Sequence, residues 1–335
     1  MKHGGDIAQA SAIFGSERDG CWLDLSTGIA PHAYPVPPIS AHVWQRLTQS
    51  AALSDLLAAA KHAYRVPHSA GIAAAPGTQM LIQLLPLLYR NVKRVRILGP
   101  TYSEHQICWQ RHVADTEIAA ALQDLDGSDA AVITNPNNPD GRIVDTITLM
   151  ERARQHTRDG TILIVDEAFA DTAPEISIVP HAGEPGLIVL RSFGKFYGLA
   201  GLRLGFAIGH PSTIEELETA LGPWAVSGPA CEVAVKALWD TAWAAAARAD
   251  YERQAARLDH LLERHGLESI GGTSLFRLAR HSQAPALHDA LARRGILSRK
   301  FEDCPTWLRF GLPGSDANFS RLDETLTDTL QMLQG

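Results

Sequence analysis

Short, mainly apolar runs alternate along this chain with stretches in which apolar side chains recur every three or four positions. The runs at residues 72–75, 95–98, 130–134, 162–165, 187–190 and 204–208 read as strands in a sheet largely covered on both faces, since they are mainly apolar, with Arg96 the one charged residue among them. The stretches at 54–64, 79–89 and 145–158 have helical spacing. Strands alternating with helices predict βαβ units: an α/β, three-layer αβα fold with a mainly parallel central sheet. From about residue 228 the pattern changes. Residues 233–264 read as an Ala-rich helical stretch broken at Gly266, and 274–278 and 307–310 read as strands. The predicted organisation is an N-terminal arm with part of a small domain over 1–35, a large domain over 36–227, and a small α+β domain over 228–335. Gly4, Gly5, Gly15, Gly20, Gly28 and the prolines Pro35, Pro37 and Pro38 make the arm irregular.

Composition narrows the function. The chain has 335 residues, too many for one ordinary core, and a formal net charge of −7. An acidic chain has no general attraction for nucleic acid or anionic lipid, so any anion it binds needs a local site. No apolar run is long enough to span a bilayer, and the start is polar rather than signal-like. Cys21, Cys108, Cys231 and Cys304 lie far apart without metal-ligand spacing, which predicts reduced thiols, no metal and a cytoplasmic protein.

Candidate chemistry falls just past the predicted strands, where α/β sheets bind their ligands. Gly77-Thr78-Gln79 opens a helix directly after a strand, so its free N–H groups suit a phosphate. Ser192 and Arg203 could add a hydroxyl and a guanidinium. Asp166 ends an Ile, Leu and Val strand, where a buried carboxylate needs a cation or hydrogen bonds; a helix cap is the simpler reading of Asp166 alone. Lys195 sits among glycines and apolar residues, and partial burial would free its amine for imine chemistry. A lone lysine on a Gly-rich turn is more often merely exposed.

Taken together, these segments resemble the class I/II aminotransferases of fold type I. Residues 192–205 match the Ser-x-x-Lys…Gly-Leu-x-Gly-x-Arg-x-Gly motif. Asn135-Pro136-Asn137-Asn138-Pro139-Asp140-Gly141 is similar to the family's Asn-Pro loop, and Asp166-Glu167-Ala168-Phe169 to its Asp-Glu-x-Tyr strand end. The resemblance implies pyridoxal 5′-phosphate held as a Schiff base on Lys195, with Asp166 on the pyridine nitrogen and Asn138 on the 3-hydroxyl oxygen. It further implies Tyr102 stacked on the ring, and Gly77, Thr78, Gln79, Ser192 and Arg203 around the phosphate. Tyr64 is expected to reach the phosphate of a neighbouring subunit in a homodimer with shared sites; a core tyrosine is the alternative. Phe169 departs from the pattern, because relatives carry a tyrosine bonded to the 3-hydroxyl oxygen there. Arg309, in Trp307-Leu308-Arg309-Phe310-Gly311, matches the arginine that clamps the substrate α-carboxylate.

These residues do not choose the reaction, because orientation decides which bond at Cα breaks. The arm carries the distinction. His3-Gly4-Gly5-Asp6, followed by Leu23-Asp24-Leu25-Ser26-Thr27-Gly28-Ile29-Ala30-Pro31, looks like the threonine-phosphate decarboxylases of cobalamin biosynthesis. That resemblance implies decarboxylation of a small phosphorylated amino acid, L-threonine O-3-phosphate, to (R)-1-amino-2-propanol O-phosphate. His3 and the N–H groups of Gly4 and Gly5 would meet the substrate phosphate, and Ile29 and Ala30 would lie against the substrate, as would Asn138. The alternatives are a 2-oxoglutarate-dependent aminotransferase of the histidinol-phosphate type and, more remotely, a non-catalytic pyridoxal-phosphate-binding regulator.

Overall fold

The computed structural model describes residues 4–15 and 22–334. His3 and Cys21, both singled out in the sequence, lie outside them. The chain forms two compact units, Ala33–Ala244 and Met1–His32 joined to Ala245–Gly335.

The large unit is built on seven strands: β1 (Gly71–Ala75), β2 (Arg94–Leu98), β3 (Asp115–Ala119), β4 (Ala130–Thr134), β5 (Ile162–Asp166), β6 (Leu187–Ser192) and β7 (Gly205–Gly209). They lie in the order β1-β7-β6-β5-β4-β2-β3. Strands β2 to β6 pair in parallel, while β7 runs antiparallel to both β1 and β6. The expected strands all form, within a residue or two of their predicted ends. β3 was not expected, because Asp115, Glu117 and Thr116 interrupt its apolar pattern; as an edge strand it keeps one side in water.

Leu81, Leu85, Ile97, Trp109, Val132, Ile164 and Ile188 are buried together on the sheet, each such side chain contributing about 1.5–3 kcal/mol by leaving water. Helix Thr146–Asp159 starts at Asp145, whose carboxylate accepts the Thr148 N–H at 2.9 Å, and ends on the left-handed Gly160.

The expected boundary near residue 228 moves to 244. Helix Gly228–Trp239 buries Ala230, Val233, Ala234, Ala237 and Leu238 and packs against helix Ser50–Tyr64. The Ala-rich stretch read as one helix is two, parted at Asp240, which caps the next helix by accepting the Trp243 N–H at 2.9 Å. An alanine-rich pattern gives helix but not the partner against which it packs.

The small unit carries a four-stranded antiparallel sheet, in the order Arg299–Lys300, Trp307–Gly311, Phe276–Arg280, Glu268–Thr273. Residues 274–275, expected to begin a strand, make the hairpin turn instead, and the Gly271-Gly272 pair hid the strand before it. Leu23–Asp24 pairs in parallel with Ile296–Leu297. The arm contains helix Ile7–Phe14, capped by Asp6. Among the described residues no helix is long and apolar enough to cross a membrane.

Candidate active site

Three neighbouring strands of the large unit bring the phosphate-binding candidates together. Gly205 is the cross-strand partner of both Ala75 and Ser192. A Cβ on Gly205 would lie 2.5 Å from the Thr78 backbone nitrogen, so the start of helix Thr78–Leu88 is seated against this glycine. Gly77 stands at φ +88°, and a Cβ there would lie 2.6 Å from Arg203 Nη2. Gly77 therefore leaves the space in which the Arg203 guanidinium meets the helix start. Helix N–H groups, a guanidinium and the buried Ser192 form a cradle suited to a phosphate ester.

Gln79 takes a different part from the one expected. Its amide donates to Glu104 Oε2 at 3.1 Å and accepts from the Tyr102 hydroxyl at 3.1 Å. Its side chain thus orients Tyr102 and leaves only the backbone to an anion. Burial, aided by Glu104, raises the Tyr102 phenol to about 12, so it stays a neutral donor.

Asp166 ends β5 almost fully buried. Its Oδ1 accepts the Ala168 N–H at 3.0 Å, and its Oδ2 lies 2.9 Å from His105 Nε2. His105 is equally buried and stands edge-on to Tyr102 at 6.2 Å. The sequence reading missed His105, since a lone histidine in an amphipathic helix carries no signal; its position three residues after Tyr102, one helical turn on, was the only hint.

Beneath Asp166 lies a buried ionic group. Glu167 accepts from Ser177 Oγ at 2.5 Å, from the Ile178 N–H at 2.7 Å and from Arg191 Nη1 at 2.9 Å, while Arg191 Nη2 donates to Asp171 at 2.6 Å. Burial pushes the Glu167 carboxyl up, although Arg191 opposes it. Lys195 is half-buried in the single turn Phe193–Phe196, with its amine 5.9 Å from the centre of the Phe169 ring. A Cβ on Gly194 would lie 2.8 Å from the Ala200 Cα, which explains the small residue beside the lysine.

In the 135–141 loop, Asn135 and Asn137 are structural. Asn135 bridges to Val144, and Asn137 donates to the Pro100 carbonyl at 2.8 Å and to Asp140 at 2.7 Å. Asn138 is the half-buried one.

Tyr64, expected at the phosphate of a neighbouring subunit, is the last residue of helix Ser50–Tyr64. It is 5% exposed in its own chain, edge-on to Phe206, with the Arg191 guanidinium 4.4 Å above its ring.

In the small unit Arg309 is buried. Its Nη2 donates to the Ser26 carbonyl at 2.7 Å, and its guanidinium lies 5.0 Å over the Phe276 ring. Burial, with Arg299 as its cross-strand partner, lowers the Arg309 guanidinium to about 10, against the opposing pull of Asp24. Two arginines facing each other across a sheet favour an anionic ligand. Arg299 was also missed in the sequence. The Gly5 N–H, expected to face a phosphate, instead donates to Ser26 Oγ at 2.8 Å. Ile29 is half-buried and Ala30 buried. Among the described residues, no group of His, Cys, Asp or Glu is placed to hold a metal.

A sheet of this order, with a lysine, an aspartate and a phosphate cradle at its strand ends, is the frame of a pyridoxal-phosphate enzyme, and the chain belongs to the aminotransferase class I and II family, whose model matches residues 42–326. Within that family it is 41% identical over 332 residues to the threonine-phosphate decarboxylase of Pseudomonas aeruginosa, covering 97% of both chains. It is 32% identical over 208 residues to a histidinol-phosphate aminotransferase of Vibrio parahaemolyticus, covering 58% of this chain and 57% of that one. Its fold matches the crystal structure of the histidinol-phosphate aminotransferase of Sinorhizobium meliloti in complex with pyridoxal-5′-phosphate, with TM-score 0.83 at 19% identity over 98% of this chain and 95% of that one. The cofactor of the chain is pyridoxal 5′-phosphate, and the cradle that glycines 77 and 205 keep open fits its phosphate.

Proposed function

We propose that the chain is a threonine-phosphate decarboxylase, converting L-threonine O-3-phosphate to (R)-1-amino-2-propanol O-phosphate for cobalamin biosynthesis in the cytoplasm. The observation that carries this is the end-to-end likeness to a decarboxylase of that name, against a likeness to aminotransferases over little more than half the chain. When bound, pyridoxal phosphate supplies an electron sink for whichever bond at the substrate Cα stands perpendicular to its ring. The residues of the chain do the rest. Thr78, Ser192 and Arg203 hold the cofactor phosphate. Asp166, fixed by His105 and the Ala168 N–H, keeps a proton on the pyridine nitrogen, and Asn138 donates to the 3-hydroxyl oxygen. Tyr102 would cover the ring face. Phe169 offers no hydroxyl where relatives have one.

Lys195 holds the cofactor and moves a proton at the substrate Cα. Arg309 takes the α-carboxylate, and Arg299 adds the second positive charge that a substrate with both carboxylate and phosphate calls for. Fixing both anions selects the bond that aligns, and hence decarboxylation. The resemblance of the His3-Gly4-Gly5 opening to such decarboxylases makes His3 the candidate for the substrate phosphate.

The reading includes a homodimer. Trp44, Leu47 and Trp224 are 67%, 61% and 59% exposed, and Val43, Leu47 and Val235 line a groove of about 390 Å³ in the same unit. Apolar exposure of this kind supports a protein partner, and a second copy is the partner proposed.

The experiment is purified holoenzyme with L-threonine O-3-phosphate, followed by CO₂ and amine product. No CO₂, with conversion of histidinol phosphate and 2-oxoglutarate instead, makes it an aminotransferase. A preparation that binds the cofactor yet turns over neither is a regulator.

A further inference from the structure

Ser26 is 1% exposed in the small unit. Its backbone N–H and its hydroxyl both donate to Asp24 Oδ1, at 2.9 and 2.5 Å. With its single proton given to Asp24, the hydroxyl oxygen can only accept, and it accepts the Gly5 N–H at 2.8 Å. The Ser26 carbonyl accepts Arg309 Nη2 at 2.7 Å. One residue thus joins the N-terminal arm to the arginine at the heart of the small unit.

The fit of the arm is just as specific. A Cβ on Gly4 would overlap the Ser26 carbonyl oxygen and lie 2.8 Å from its hydroxyl. Gly5 stands at φ +88°, a conformation that side chains resist. The arm therefore passes against the two oxygen atoms that link it to Asp24 and Arg309. A serine needed only to cap a turn would use Asp24 alone. Nothing in that turn calls for two successive glycines lying on it.

We propose that Ser26 is a positioning residue through which the docked arm sets the orientation of Arg309, and so the affinity for substrate; this rests on the reading of Arg309 as the carboxylate-binding arginine. When the arm leaves, the Ser26 hydroxyl loses its donor and the Ser26-Thr27 peptide loses the packing of Gly4. The carbonyl that aims Arg309 is then held from one side only. Such a link acts in both directions, so Arg309 also holds the arm.

The test compares holoenzyme with Ser26→Ala, Gly4→Ala and the double variant. Ser26→Ala should raise KM for L-threonine O-3-phosphate by about 3–10-fold, the loss of one or two hydrogen bonds. The fall in kcat should be smaller, and pyridoxal phosphate affinity should stay at the parent value. Gly4→Ala should move KM the same way, and the double variant should be no worse than the worse single one, since both act through one link. Amide exchange over residues 4–15 should speed up in Ser26→Ala and also in Arg309→Ala. Additive penalties, an unchanged KM in Ser26→Ala, or an arm that loosens in Ser26→Ala but not in Arg309→Ala would overturn the link. If Ser26→Ala fails to fold, Gly4→Ala decides, because it leaves every Ser26 group in place. If the parent releases no CO₂, the reading of the reaction fails, and the exchange comparison still judges the link.

Discussion

The two halves of the chemistry are built in different ways. In the large unit, Thr78, Asp166, Ser192 and Lys195 stand at or just after strand ends, and adjacent strands set their spacing through sheet register. In the small unit, Arg309 is set by contacts between stretches far apart in sequence, its acceptor Ser26 lying 283 residues away. A strand end is a rigid mount. An arm held by a few hydrogen bonds is one that solution conditions can loosen. The cofactor half is thus preorganised by the fold, and the substrate half by packing.

The sharpest way to test that division is Lys195→Ala. It should cut CO₂ release by about 10²–10⁴-fold, the usual worth of a proton-transferring group. It should also remove the cofactor absorbance that borohydride bleaches. Arg309→Ala comes next. Losing a buried, charged hydrogen-bonding group costs about 1.5–3 kcal/mol, or roughly 10–150-fold in kcat/KM. The cofactor spectrum should not change, and a changed spectrum would break the separation of the two halves.

The third prediction concerns acid. His288 is buried beside Ser298 and Phe14, and burial lowers its imidazole from 6.5 to about 4. The unfolded chain takes up this proton near pH 6.5, whereas the folded chain does so only near pH 4. Stability from this group is complete above pH 6.5 and is lost as pH falls towards 4. At pH 5 the loss should be about 2 kcal/mol. Hydrogen-exchange protection, corrected for the intrinsic rate at each pH, should therefore fall at pH 5 in the small unit before the large one, and His288→Gln should flatten that dependence.

The same contrast separates what the sequence reveals from what it hides. Lys195, Asp166 and Arg203 are legible because a strand, a turn and a helix start impose a local order of residue types, and the central parallel strands β4, β5 and β6 are legible as mainly apolar runs. Arg299, Ser26 and His105 carry no local pattern. Their roles arise from cross-strand pairing and from contacts between distant stretches, which a one-dimensional reading does not contain. The boundary at 244 was hidden because an alanine-rich pattern gives helix without naming the partner it packs against.

His105 gives the smallest effect and the finest test. It is mounted on a helix and touches the carboxylate that serves the pyridine nitrogen, so it belongs to the rigid half. Its Nε2–H donates to Asp166 Oδ2, while the Ala168 N–H serves Oδ1. Both oxygens are thereby fixed, and each keeps a lone pair for the ring nitrogen. His105→Phe removes one donor and keeps the edge-on contact with Tyr102. It should weaken pyridoxal phosphate binding by about 2–12-fold, equivalent to 0.5–1.5 kcal/mol for one hydrogen bond. Titration of the apoenzyme with cofactor reads this directly, without turnover. KM for the substrate should stay put, because Arg309 and the arm are untouched. If KM moves and cofactor affinity does not, His105 serves the substrate half, and the division between a rigid cofactor site and a packed substrate site fails at a buried point of the cofactor half.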